Sequence, residues 1–199
     1  MAFFEKSLQA VKNLDSALTT ANETFCAERK KLLDTLKDPA KQIGELRDAL
    51  TATEQEQKRI FRETVQADFA AVRAAVNAIV TAAPPADFLA TLEAIKANGR
   101  SITDYEAAAY MEKYKDNYFA FRTLHEVLTN AGKQLDCFVM YPDRMASNID
   151  EGETMLLNWG REWKGNSYMG ALLMHHTNPI TSLADTVQKF TGGKYTVEE

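Results

Sequence analysis

Cysteine is scarce in this chain of 199 residues, and its two thiols, Cys26 and Cys137, stand far apart. Neither a CxxC redox pair nor a disulfide framework can be read from them, so they are expected to be reduced. Five prolines and nine glycines are too few for a collagen-like, disordered or turn-rich all-β chain. Long apolar runs are missing as well: the longest stretch, Met169 to Met174, has six residues, against about 20 for a helix that spans a bilayer. The opening Met-Ala-Phe-Phe-Glu-Lys-Ser-Leu-Gln-Ala-Val lacks the basic flank, apolar core and small-residue cleavage site of a secretory leader. Together these absences predict a chain with no membrane span that stays in the cytoplasm.

Cations in clusters are wanting too. The net charge is −5, and it is uneven: residues 1–83 hold 12 basic and 12 acidic side chains, whereas 84–199 hold 11 and 16. Beyond Arg29-Lys30-Lys31 there is no basic patch to overrule the acidity, which speaks against nucleic acid as a partner. Catalytic signatures are absent: there is no GxGxxG, Walker-type loop, GxSxG or paired ExxH. Glu112, Asp116 and Glu126 have the spacing of a solvated helix face and nothing more. The expectation is therefore a protein without cofactor and without enzymatic activity. His175 and His176 are adjacent, so on a helix they point about 100° apart and cannot share one ion; no metal site is expected.

What the chain has in abundance is helical periodicity. Phe4, Val11, Leu18, Phe25 and Leu32 recur every seven residues, with Leu14 and Ala21 between them, the stripe of a helix hidden along one narrow face. The pattern stops at Asp38-Pro39, because proline cannot continue a helix and moves its predecessor out of the α region. A second helix is predicted from about Ala40 to Ala82, its seam opening with Ile43, Leu46 and Leu50 and closing with Val65, Phe69, Val72, Val76 and Ile79. Thr53 and Gln57 make its middle wetter. Two such helices joined by a short turn form a long antiparallel hairpin.

Pro84-Pro85 marks the boundary to a second domain, placing a hairpin at 1–83 and a compact bundle of shorter helices at 84–199. Its helices are predicted at about 85–98, 103–130, 147–163, 166–176 and 180–190. Thr103-Asp-Tyr-Glu106 reads as a capping box, and Asn178-Pro179 as a break. Leu135 to Tyr141 has strand character but no evident partner, so an extended linker or single helical turn is expected there. Gly192-Gly193 is taken as the end of ordered chain. The fold class that follows is all-α.

Two stretches have the chemistry of a binding site. Tyr110, Tyr114 and Tyr118 step by four, with Phe121 and His125 on the same side; this is either an aromatic wall for a base or ring, or rings buried against a neighbouring helix. Trp159 and Trp163 lie one turn apart beside Arg161, Lys164, Asn166 and Tyr168. Two indoles, two cations and an amide could grip a planar anionic ligand such as a nucleotide, or form a hot spot for a protein partner. The alternative is a pair of core tryptophans.

The stretch from Tyr105 to Leu124 (Tyr-Glu-Ala-Ala-Ala-Tyr-Met-Glu-Lys-Tyr-Lys-Asp-Asn-Tyr-Phe-Ala-Phe-Arg-Thr-Leu), together with Phe3 to Asp15, resembles helical proteins encoded by phages and prophages of gut bacteria. The resemblance brings no motif, activity or site residue onto these positions. It implies a viral assembly component or a protein that acts on the host, in the cytoplasm of a bacterial host or incorporated in a virion. The leading expectation is an assembly protein that forms a homo-oligomer through the seam of Phe4, Val11, Leu14, Leu18, Phe25 and Leu32. The alternative is an anti-defence protein whose C-terminal helices, through Trp159 to Tyr168 with Tyr114, Tyr118 and His125, bind a nucleotide-like ligand or inhibit a host enzyme.

Overall fold

The computed structural model describes residues 3–99, 101–135, 138–164 and 170–197, and within these the side chains other than those of 138, 170–177 and 197. Among the described residues the order is α1 (Glu5–Thr35), α2 (Ala40–Val80), α3 (Phe88–Asn98), α4 (Asp104–Lys113), α5 (Tyr118–Asn130), β1 (Phe138–Val139), α6 (Pro142–Glu162), α7 (Gly170–Thr191) and β2 (Thr196–Val197). The fold is all-α, with the long N-terminal hairpin that the heptads predict. No helix among the described residues is long and apolar enough to cross a membrane.

The chain forms two compact units, each made of separated stretches. One joins Ala2–Ala71 to Ile149–Ala184 and contains α1 and most of α2. Leu36 leaves α1 in extended geometry, its N–H donating to Leu32 O, and Pro39 opens α2 by accepting from Ile43 N. The two helices run antiparallel. Phe4 packs against Phe69 with ring centroids 4.6 Å apart and the rings tilted by 51°, and Asp68 Oδ2 accepts from both the backbone N–H (2.8 Å) and the hydroxyl (2.7 Å) of Ser7. Phe4 precedes the first turn at φ 63°, a left-handed conformation costly for a bulky residue; its fully buried ring offsets that cost. Val11, Leu14, Leu18, Phe61, Val65 and Phe69 complete this end of the seam.

The C-terminal part of α6 lies on that same end. Phe61 meets the Trp159 ring edge-on at 5.7 Å, and glycines make the approach possible. A Cβ on Gly160 would run into the Phe61 ring, and one on Gly152 would come within 2.9 Å of Ile180 Cδ1. The end of α6 is tied down by Lys58 Nζ, which donates to Arg161 O (3.1 Å), and by Asn22 Nδ2, which donates to Lys164 O (2.7 Å). The Lys58 cation thus meets a carbonyl of the last turn of α6, where the helix dipole is negative, and the Asn22 amide holds the chain just past it.

The second unit joins Val72–Asn148 to Asp185–Glu199. Its core is aromatic: Tyr118 contacts Phe190 (5.0 Å) and Tyr195 (5.3 Å), and Phe88 contacts Tyr114 (5.3 Å). Four expectations change here and at the α6–α7 end of the chain, the first being that α6 begins at Pro142, where proline suits the first turn of a helix, rather than at Ser147. The helix predicted over 103–130 is two, because Asn117 caps α5 through Oδ1 on Ala120 N while its Nδ2 donates to Ala83 O. The strand-like segment finds a partner in the C-terminus, with Phe138 opposite Val197 and Val139 opposite Thr196 in an antiparallel pair, so ordered chain continues past Gly193. The helices predicted at 166–176 and 180–190 are one, α7, with Pro179 inside it. A proline in a helix costs one backbone hydrogen bond, and here the buried Ile180, Leu183, Val187 and Phe190 hold the helix together after it.

Candidate functional site

The seam residues divide by position. Phe4, Val11, Leu14 and Leu18 are buried, with the first, second and fourth at 0–1% exposure, whereas Phe25 and Leu32 are only half-buried. From Thr19 to Ile60 no residue is buried at all. The register set by Ser7 and Asp68, carried along both helices at equal rise, brings Phe25 level with Leu50 and Leu32 level with Ile43. Each of these four is half-buried, as is Leu46. Beside them Leu33 is 50% and Leu36 40% exposed. The last described groups of α6 to reach the hairpin do so at Asn22 and Lys58. Beyond them lies a two-helix arm, about 20 Å long at the α-helical rise, whose own two stripes cover each other only in part. Its outer faces carry both signs of charge, with Glu28, Arg29 and Lys30 on α1 and Glu45, Arg47 and Asp48 on α2 all exposed.

Trp159 and Trp163 fall inside the fold. Their rings stack at 5.4 Å and 22°, and only 6% and 3% of their surfaces remain exposed. Trp159 meets Phe61 of α2 and Trp163 stacks on Trp159 just past the end of α6, leaving neither ring free to grip a ligand. Both indole N–H groups are buried without a hydrogen-bond partner among the described residues, an uncommon arrangement that costs free energy. Arg161 and Lys164 point to solvent; their backbone carbonyls, rather than their charges, make the contacts with Lys58 and Asn22. Asn166 and Tyr168 lie outside the described residues.

The tyrosine wall is broken between α4 and α5. Tyr114 and Tyr118 are both buried, at 2% exposure. Tyr114 gives its hydroxyl to Asp87 Oδ2 (3.0 Å) and shares a bond with Thr91 (2.8 Å), while Tyr118 donates to Met140 O (3.0 Å). Lys113 joins Asp87 at 2.6 Å and, ahead of the Tyr114 hydroxyl, holds the Asp87 carboxyl below its ordinary value. Burial pushes the Tyr118 phenol up. These are fastenings of the core, and His125, on α5, is half-buried. Among the described residues no three His, Cys, Asp or Glu side chains gather as metal ligands. The side chains of His175 and His176, and Cys137 as a whole, lie outside the described residues; Cys26 is exposed on the arm.

One feature had no counterpart in the sequence motifs. Tyr141, Arg144, Met145 and Asn148 at the start of α6 and Thr186 and Lys189 on α7, with Val139 and Met140, line a cavity of about 420 Å³. Single cations without a motif gave no signal. An exposed tyrosine followed by Pro-Asp-Arg at a helix start is the only local hint. Comparison with protein-family profiles, with curated proteins and with solved structures returns no match.

Proposed function

We propose that this protein is a non-enzymatic assembly component of the phage type, which associates with further copies of itself through the distal arm of its N-terminal hairpin. The observation that carries the reading is the contrast along one stripe: Phe4, Val11 and Leu18 are covered within the chain, whereas Phe25, Leu32, Ile43, Leu46 and Leu50 keep part of their apolar surface in water. The two stripes of the arm cover each other only in part, so packing within the hairpin leaves apolar surface unused past the last contact with α6. A second helical surface laid along the arm would cover it.

Magnitudes favour association that depends on concentration. Completing the burial of a half-covered Leu, Ile or Phe yields about 1 kcal/mol, so ten such positions from two arms supply roughly 10 kcal/mol. Lost translational and rotational freedom costs about 4–15 kcal/mol. The exposed Leu33 and Leu36 add to the favourable side, and an assembly that forms at high local concentration fits this balance.

Light scattering on the full chain at micromolar concentration should therefore give a mass of at least two copies. Leu33→Glu with Leu36→Glu, at positions already exposed, should shift the mass to one copy while helical content stays unchanged and melting loses its dependence on concentration; a monomeric wild type would remove the reading. The alternative of a ligand-binding or inhibitory protein acting through Trp159 to Tyr168 is not favoured, since the stacked indoles are enclosed.

A further inference from the structure

The arm's own charges are sorted along its length. At its base, residues 23–28 and 48–57 carry five acids, Glu23, Glu28, Asp48, Glu54 and Glu56, and no cation. Residues 29–47, which run through the turn, carry six cations, Arg29, Lys30, Lys31, Lys37, Lys41 and Arg47, against three acids, Asp34, Asp38 and Glu45. All of these side chains are exposed except Glu54, which is half-buried. Glu56 pairs with Arg59 one turn further along α2 (2.7 Å); without it the base still holds four acids. Where the end of α6 meets the hairpin it brings Arg161, Glu162 and Lys164, all exposed.

The apolar stripe is laid out evenly about a middle. Phe25 and Leu50 share one level and Leu32 and Ile43 another, with Leu46, level with Arg29, between them. Seven residues of α1 separate the two levels, about 10 Å at the helical rise. A second arm pointing the same way would set each level on its own copy, and an arm turned end for end about Leu46 would set each on the other. Apolar contact is available either way. Charge separates the two. Side by side in the same direction, acids meet acids and cations meet cations on helices about 8–10 Å apart, close to one Debye length at physiological salt. Turned end for end, Glu28 comes to the level of Arg29, Asp48 to that of Lys30 and Glu23 to that of Lys41. Asp34 and Glu45 reach the same levels, where the cations outnumber them.

We infer that two copies pair through their arms in antiparallel fashion, about a two-fold axis at the level of Leu46, an inference that rests on the self-association proposed above. Such a contact uses the same surface on both copies and closes at two. The partner that the arm fits is therefore one further copy, in one orientation, and not a growing filament.

The test is the distance between nitroxides on the two copies of the full chain, in a Cys26→Ser and Cys137→Ser background. Labels go singly at Thr20→Cys, Ala27→Cys and Thr35→Cys, all exposed positions on α1. In antiparallel arms the axial separation grows by about 3 Å for each residue away from the axis, twice the helical rise. The distance should be shortest at position 27 and roughly 10–15 Å longer at both 20 and 35. Equal distances at all three would mean arms that point the same way, and a distance shortest at 35 that rises steadily to 20 would mean contact of turn ends only. Either result overturns the inference and leaves self-association standing, whereas no dipolar coupling at any position would remove both. Arg29→Glu with Lys30→Glu should weaken association at least about tenfold, with helicity unchanged by circular dichroism; wild-type affinity in that variant would also overturn the inference.

Discussion

Asp68 fixes the hairpin's register with one oxygen. Its Oδ2 accepts from the N–H and the hydroxyl of Ser7, and Ser7 is fully buried. Replacement by alanine strands two donors, one of them in the first turn of α1. Asp68→Ala should cost about 1–3 kcal/mol in urea unfolding, whereas Asp68→Asn, which keeps an acceptor, should cost less. A second residue-scale device opens α4, where Thr103 and Glu106 form the reciprocal capping box. The Thr103 backbone N–H, and then its hydroxyl, hold the Glu106 carboxyl below its ordinary value. A carboxyl depressed in the folded state stabilises at pH above its unfolded value, and that contribution disappears as pH falls through the depressed one. Thr103→Ala should lower stability by about 1 kcal/mol at neutral pH, and thermal melts should show less of that difference in acid.

At the scale of elements, closeness of approach decides. Gly160 lets α6 rest on Phe61 without an intervening side chain, and Gly160→Ala should destabilise by about 1–3 kcal/mol through overpacking, even though alanine is the better helix former. Phe61→Leu combined with Gly160→Ala should recover part of the loss, a compensation that denaturation of the single and double variants would reveal. The same scale shows what the sequence could announce. Heptads from Phe4 to Leu32 made the hairpin legible, since a stripe of that period has one physical explanation. The capping box at Thr103 was legible because both of its partners lie within four residues. The division of 103–130 was not, because Asn117 owes its turn to a carbonyl at Ala83 as well as to its own helix. Nor was the pairing of Val139 with Thr196, a contact between distant segments with no side-chain signature. Trp159 and Trp163 show the limit for sites. A spacing of four puts two indoles on one face, but whether that face meets a ligand or Phe61 depends on which helix arrives.

For the whole molecule, the central claim is that the arm beyond Asn22 and Lys58 is an interface awaiting a second copy. Its apolar stripe continues while coverage from the same chain thins, which supports the proposed association. Cys26, exposed on α1 within this arm, offers a direct reporter. A nitroxide attached to Cys26 in a Cys137→Ser background would show whether labels on different copies approach one another. Double electron–electron resonance at micromolar protein should give a defined distance between labels, abolished by Leu33→Glu with Leu36→Glu; a decay with no dipolar modulation, unchanged as concentration rises, would contradict the account.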